Sequence, residues 1–382
     1  MELKRSRTAY WILCIILLTI SLFSATRAAC SNVKEPSEIV PQKGRFYKPD
    51  NCNSSILDND IKHHLQSSVT TIIIPAVYTL VLVLGLPANL IALWVLGFKS
   101  KKMPSTLLLI NLAAADLLFM LALPFKIIYY YLGNNWIFGD IPCGVVTAIF
   151  YGNMYCSALF LMAISIDRYI ALVHPFSKKC LRGWGSSVGA AVVIWLVVAA
   201  GMSAFLIVPQ TKTFRIPNIT TCNDVYPLCT GYDWYRIYFL GLFSIGFALP
   251  LAVILFCYMS ILVVLIKSRG SHRHVIKIII LVLITFILFF TPSNILLLLH
   301  YQENQWECHN QLYFWYVIAL SLTSMNSCTD PVLYYYMSED FQTLAKATFC
   351  GSKEKNNSLL ASTKSSKLYS SSDNKQSVRT DS

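Results

Sequence analysis

Charge is what this sequence has least of: Asp, Glu, Lys and Arg make up 13% of its residues against 55% hydrophobic ones, and its mean hydropathy is +0.54. A soluble domain has no use for that much apolar surface, so lipid is the expected solvent. Internal repeats and a ring of pore charges are missing too, which removes the usual marks of a transporter or an ion channel. No buried Ser/His or metal-ligand pair stands out, so no catalytic role is assigned and no enzyme is expected. The net charge of +12 would suit a nucleic-acid binder, but the basic residues sit beside apolar runs rather than in one stripe. Nucleic acid is therefore not an expected partner.

What is present begins with a leader. A basic start (Lys4, Arg5, Arg7), an apolar run from Tyr10 to Phe23 and small residues at Thr26 and Ala28 read as a secretory signal peptide over residues 1–28. An uncleaved signal anchor is the other reading. Apolar stretches long enough to cross a hydrocarbon core of about 30 Å at 1.5 Å per residue then recur at 70–97, 104–131, 143–172, 186–208, 237–267, 274–301 and 312–337. The spacing predicts an all-α membrane protein, a seven-helix bundle over 70–337.

Basic clusters alternate between these spans: Lys99, Lys101 and Lys102; Lys178, Lys179 and Arg182; Lys267, Arg269, Arg273 and Lys277; Lys346, Lys353 and Lys355. All fall on one side, which the positive-inside rule makes cytoplasmic together with the C-terminus. The opposite loops carry acids (Asp140, Asp224, Asp233, Glu303, Glu307) and, with the N-terminal segment, the glycan acceptor sequons at Asn53 and Asn218. A plasma-membrane protein with its N-terminus outside is expected. Residues 338–350 read as a short amphipathic eighth helix ending at Cys350, a candidate palmitate site. Residues 351–382, rich in Ser and Thr, read as a disordered tail that either only solubilises or takes up phosphate after activation.

Polar groups at membrane depth cost roughly 2.5 kcal/mol or more on insertion scales, so the few that occur face the interior and mark function. They are Asn89, Asp116, Ser157, Asn326 and Asp330. Oxygen ligands of this kind suit a hard cation such as sodium, and interhelical hydrogen bonding is the plainer reading. Apart from that ion no cofactor or metal is expected. At the end of the third span stands Asp167-Arg168-Tyr169, where an arginine must pair with a carboxylate or meet a partner entering the bundle. Trp195, Pro250 with Tyr258, Pro292 and the run Asp330-Pro331-Val332-Leu333-Tyr334 complete an ordered set, the prolines supplying hinges.

This set resembles the rhodopsin-like G-protein-coupled receptors over about residues 70–350. The resemblance implies a G-protein partner at Asp167, Arg168 and Tyr169, a sodium pocket at Asp116, Ser157, Asn326 and Asp330, a switch at Pro292 and Tyr334, and arrestin on the phosphorylated tail. It also implies a disulfide between Cys143, at the outer start of the third span, and Cys222, which would pin the second outer loop over the mouth. The pairing of Cys30, Cys52, Cys229 and Cys308 stays open among three connectivities, Cys52 with Cys308 being one. Two departures from the family pattern stand out: phenylalanine, not tryptophan, lies two residues before Pro292, and Asp330 replaces an asparagine. No acid precedes the sixth span near His272 to His274 either, so restraint of Arg168 must come from elsewhere, such as Asp167.

The runs Leu123-Pro124-Phe125-Lys126-Ile127, Asn134-Asn135-Trp136-Ile137-Phe138-Gly139, Phe150-Tyr151-Gly152-Asn153-Met154-Tyr155 and Ile219-Thr220-Thr221-Cys222-Asn223-Asp224 narrow the likeness to protease-activated receptors. Gly85-Leu86-Pro87-Ala88-Asn89 and Leu296-Leu297-Leu298-Leu299-His300-Tyr301 look most like the fourth subtype. In that family a serine protease cuts the N-terminal segment and the new end folds back as agonist. The basic residue ahead of Phe46 suits a protease with an acidic specificity pocket, thrombin or a trypsin-like enzyme, so residues 29–45 would be a propeptide and 46–69 the tethered segment.

The tethered ligand is then Phe46-Tyr47-Lys48-Pro49-Asp50-Asn51, with Arg45 before the cut; Lys43 and Lys48 are rival sites. Thrombin, a coagulation protease, ranks ahead only on the subtype likeness. Asp224 is the expected partner of the new ammonium, and His300, Tyr301, Tyr313, Tyr151 and Tyr78 are the expected partners of the ligand rings. A receptor for a diffusible nucleotide or lipid is the competing reading, opposed by the scarcity of basic residues in the outer halves of the spans apart from Lys126.

Overall fold

In hydrocarbon every backbone N–H and C=O must be satisfied within its own segment, so uncharged apolar runs wind into helices. The computed structural model describes residue 65 and residues 67–100, 103–174, 183–215, 218–224, 232–267, 273–302, 306–338 and 341–343; in 232–236, 273–274, 300–302 and 306–313 it describes backbone only. Four helices are α1 (Val69–Lys99), α2 (Pro104–Tyr131), α3 (Asp140–Val173) and α4 (Trp184–Ile207). α5 runs over residues 232–267 and α6 over 273–302, each through one π-helical turn. α7 is two pieces, Trp306–Thr323 and Asn326–Met337, broken at Ser324 and Met325.

Among the described residues six helices, α1 to α6, are long and apolar enough to cross a membrane. The break in α7, next to the polar run from Ser324 to Asp330, sets the seventh apart. Starts and ends fall close to the expected spans except that α5 begins five residues and α7 six residues earlier, because their first turns are polar and aromatic rather than aliphatic. Large aliphatic side chains such as Leu121, Val193 and Leu196 point outward and are exposed, the surface a lipid-solvated bundle presents. α3 is the hub, packing on α2, α4 and α5, with every residue from Phe150 to Leu161 buried.

Three of the prolines are met in the same way. Each of Pro75, Pro250 and Pro292 follows a π turn, at Val69–Ile73, Ser244–Ala248 and Phe286–Phe290. A proline lacks the N–H that closes a helical turn, and a wider turn ahead of it absorbs the freed carbonyls. Around Pro292, hydroxyls help: Thr291 Oγ donates to the Phe286 carbonyl (2.9 Å) and Thr323 Oγ, from α7, donates to that of Phe289 (2.6 Å).

One end of the bundle carries an antiparallel hairpin, β1 (Thr211–Phe214) and β2 (Ile219–Cys222), in which Thr211 faces Cys222 and Phe214 faces Ile219. A disulfide joins Cys222 to Cys143 on the first turn of α3. Asp140 fixes the hairpin's base, its Oδ1 accepting from the Gln210 and Thr211 amides (both 3.0 Å) and from Thr211 Oγ (2.8 Å). The α2–α3 loop locks onto the other strand: the Trp136 amide donates to the Thr220 carbonyl (2.7 Å) and the Thr220 amide to Asn135 Oδ1 (2.9 Å). Asn134 and Asn223 take left-handed backbone with φ of 64° and 66°, a conformation asparagine tolerates better than most residues.

At the opposite end, Ser338 starts a further turn, accepting from the Phe341 amide on its hydroxyl (3.2 Å) and from the Gln342 amide on its carbonyl (3.1 Å). This is where the eighth helix is expected. The rest of that helix with Cys350, the tail, the leader, Arg45 and Phe46 to Asn51, Asn53 and the cysteines 30, 52 and 229 all lie outside the described residues.

Candidate functional site

Three polar assemblies are stacked along the bundle axis. The first lies under the hairpin. The residues after Cys222 turn inward, burying Asn223 and Asp224. The Asp224 carboxylate accepts a hydrogen bond from the Tyr129 hydroxyl on α2. The Lys126 ammonium, also buried, sits 5.5 Å from the centre of the Tyr129 ring. Tyr78 on α1 packs edge-on against Phe150 (5.5 Å) and lies within electrostatic reach of Asp224 and Tyr151. The Tyr316 hydroxyl on α7 donates to that of Tyr151 (2.8 Å), whose ring stacks flat on Phe205 of α4 at 5.0 Å.

Of the residues expected here, Asp224, Tyr78 and Tyr151 are brought together; His300, Tyr301 and Tyr313 have side chains outside the described residues. Tyr129, Tyr130 and Tyr316 were not expected. The aromatic run Tyr129-Tyr130-Tyr131 at the end of the second span is the signal that could have found two of them. Between these side chains lies a void of only about 20 Å³, lined by Tyr78, Lys126, Tyr130 and Tyr151 among others, and a deeper one of about 10 Å³ lies beside Phe119, Asn153 and Phe290. Each has room for about one water, against the 300 Å³ or more of a typical ligand pocket.

The second assembly is at mid-depth. The break in α7 lets Ser327 turn inward, where its hydroxyl donates to Asp116 Oδ1 (2.7 Å) and accepts from Asn153 Nδ2 of α3 (3.3 Å). Its carbonyl accepts from Asn89 Nδ2 of α1 (2.8 Å). Tyr334 donates to Asp116 Oδ2 (3.3 Å), and Asn326 Nδ2 donates to Asp330 Oδ2 (3.3 Å). Asp330 is within interaction range of Asp116, so two carboxylates share one buried chamber. Among the described residues, buried oxygens without a hydrogen-bond partner include Asn89 Oδ1, Asn153 Oδ1 and Asn326 Oδ1, on side chains of this network, and Ser157 Oγ, four residues along α3 from Asn153. A chamber of carboxylates and orphaned oxygens fits a hard cation with its waters.

The third assembly is the Arg168 end. Asp167 is buried and Arg168 half-buried, with Tyr258 of α5 within reach of Arg168. Tyr169 meets His174, hydroxyl to Nε2 at 3.1 Å, and packs on Phe256. A contact that sequence reading missed spans α6 and α7: Lys277 Nζ sits over the Tyr336 ring, 5.5 Å from its centre. Higher up, Trp195 Nε1 donates to Asn111 Oδ1 (3.0 Å), fastening α4 to α2.

Comparison with known proteins agrees with this architecture. The family model for seven-transmembrane receptors of the rhodopsin family matches residues 88–334. Proteinase-activated receptor 3 of Homo sapiens is 43% identical over 281 residues, 72% of this chain and 74% of that one. Proteinase-activated receptor 4 of Homo sapiens is 43% identical over 281 residues as well, 73% of this chain and 72% of that one. Proteinase-activated receptor 2 of Bos taurus is 36% identical over 371 residues, 91% of each chain. The third and fourth subtypes are thus equally similar by identity.

Proposed function

Because this chain belongs to the rhodopsin family of seven-transmembrane receptors, and within it to the proteinase-activated receptors, we propose a specific trigger for it: serine-protease cleavage after Arg45, by thrombin or a trypsin-like enzyme. It is a multi-pass plasma-membrane receptor that is activated by protease and signals through a G protein, and it is not an enzyme. In our reading the hairpin end faces outward, with Asn218 exposed at the hairpin tip as a glycan acceptor, and the Arg168 end meets the G protein. Arrestin binds the phosphorylated tail, and palmitate on Cys350 joins the bilayer.

The observation that carries the reading is Asp224, a carboxylate buried two residues beyond the bridged Cys222, hydrogen-bonded to Tyr129 and within electrostatic reach of Tyr78, which in turn reaches Tyr151. Cleavage creates an ammonium on Phe46 that the uncut chain lacks, largely protonated at neutral pH given a reference pKa of about 7.7–8.0. Facing a carboxylate at ~4 Å, it gains about 4 kcal/mol at an effective dielectric of 20. The Phe46 and Tyr47 rings enter between aromatic side chains that are closed to within a water's width, so agonist entry has to part them. A short tether holds the peptide at an effective concentration of order mM, which lets modest affinity saturate the site.

Asp116, Ser157, Asn326 and Asp330 would hold a sodium ion in the mid-depth chamber, joined by the orphaned oxygens of Asn89 and Asn153. When bound, it supplies the positive charge that two buried carboxylates need. Parting the chamber through Tyr334 and Pro292 then couples the mouth to the inner end.

The test is a signalling assay on cells expressing wild type and Arg45→Ala, treated with thrombin, trypsin or the free peptide that begins at Phe46. Arg45→Ala should lose its protease response and keep its peptide response. A normal response of Arg45→Ala to both proteases, with a silent peptide, would overturn the proposal.

A further inference from the structure

The chain just ahead of α1 is fastened to the hairpin end of the bundle. Leu65, four residues before α1 begins, is buried, and its carbonyl oxygen accepts from two directions: from the Asn134 side-chain amide in the α2–α3 loop and from Thr70 Oγ of α1 (2.9 Å). We infer that Asn134 is a positioning residue for protease activation. It fixes the root of the tethered segment at Leu65, on the unit that also holds Asp224, and so raises the effective concentration at which the freed Phe46 meets its site. This rests on Phe46 being the tethered agonist.

Asn134 stands where three elements join. Its backbone amide donates to the Tyr129 carbonyl (3.0 Å), and the Tyr129 hydroxyl is the donor to Asp224. The next two residues hold the hairpin, Asn135 through its side chain and Trp136 through its amide, both at Thr220. One residue thus ties the chain leading to α1, the end of α2 and the loop over the agonist site. Its backbone is left-handed (φ 64°), a conformation that glycine adopts more cheaply than any other residue. Glycine, however, has no amide to offer Leu65, and asparagine supplies both the turn and the donor.

Leu65 lies nineteen residues after Phe46, a separation that could span about 65 Å if fully extended. The path from the Leu65 carbonyl through Asn134 and Tyr129 to Asp224 consists of three hydrogen bonds and two side chains, about 25 Å at most. Length therefore does not limit the return of Phe46. What limits it is the share of positions near the mouth, and that share grows as the root of the tether comes closer to the site. Without the Asn134 amide the Leu65 carbonyl is tied to α1 through Thr70 and no longer to the α2 end. A free agonist peptide has no root, so its binding does not depend on this contact.

The test separates tethering from binding. In full-length receptor carrying Tyr47→Ala the tethered agonist is weakened below saturation, so the maximal response after complete cleavage, followed by loss of an epitope ahead of Arg45, scales with effective concentration. In that background Asn134→Gly, which keeps the left-handed turn, and Asn134→Asp, which keeps the shape but loses the donor, should each lower the protease response about threefold, the worth of one hydrogen bond. Thr70→Ser, which keeps the hydroxyl, should leave it unchanged. At matched surface expression the free peptide that begins at Phe46 should act on all of them with equal potency. A protease response undiminished by Asn134→Gly would overturn the inference, and so would an equal loss of free-peptide potency, which would place Asn134 in the binding site itself. A free peptide silent on wild type would instead remove the tethered agonist, and the anchor with it.

Discussion

The Tyr129 hydroxyl holds the Asp224 carboxylate beneath the hairpin, so the acid proposed to receive the new N-terminus is already engaged before any agonist arrives. The two substitutions at this pair should separate. Asp224→Asn keeps an oxygen for Tyr129 but removes the charge, and the peptide beginning at Phe46 should lose about 10- to 100-fold in potency, the worth of a charge-assisted hydrogen bond. Tyr129→Phe leaves the charge but strips a buried carboxylate of a donor, which should lower thermal stability by about 1–3 kcal/mol while the peptide stays active. Equal potency of wild type and Asp224→Asn would remove Asp224 from the agonist site.

The hairpin has two anchors of different strength. Closing the 79-residue separation between Cys143 and Cys222 restricts the unfolded chain by about 4–5 kcal/mol in the chain-entropy account. Cys143→Ser should therefore cut surface expression sharply. Asp140→Ala removes three hydrogen bonds at the strand base, partly exposed, and should cost about 1–2 kcal/mol. Hydrogen exchange would locate that loss: faster exchange at the Gln210 and Thr211 amides and little change within α3. Unchanged exchange there would show that Asp140 does not anchor the hairpin.

These anchors also mark the boundary of what sequence conveys. The helices were legible because lipid imposes one rule on every span, and Asp116 and Asp330 were legible because a carboxylate in an apolar run has no other excuse. Ser327 was not, although it bonds α1, α2 and α3 together, because a serine is cheap in a helix and gains meaning only from the break beside it. Tyr129 looked like one more aromatic at a helix end. Asn135 and Asp140 stood in plain view, but their partners lie 85 and 70 or 71 residues away, on the hairpin. Long-range pairing of polar side chains has no local pattern to read.

Sodium dependence tests the mid-depth chamber. In wild type, replacing potassium by sodium at constant ionic strength should lower peptide potency severalfold, since an ion that fills the resting chamber opposes its rearrangement. Asp116→Asn should abolish the difference between the two salts, and Ser157→Ala should reduce it. Tyr334→Phe removes a donor to Asp116 but none of the four orphaned oxygens, so its salt response should persist. An identical response of wild type to both cations would leave the chamber as hydrogen-bonding structure alone.

The inner end must be restrained without an acid at the start of α6, and Lys277 offers the means. Its ammonium lies 5.5 Å from the centre of the Tyr336 ring, tying α6 to the last turns of α7 near the place where a G protein would enter. Lys277 is exposed, so the contact is worth about 0.5–1 kcal/mol. A shift of that size in the resting equilibrium corresponds to about a two- to fivefold rise in basal nucleotide exchange by the uncleaved receptor. Lys277→Ala and Tyr336→Leu should each produce it, and the double variant should add nothing further, because both remove the same contact. Lys277→Arg, which keeps a cation over the ring, should stay at the wild-type level. Additive effects of the two single changes would mean that each residue acts through something other than the other, and the restraint would have to be sought around Asp167 instead.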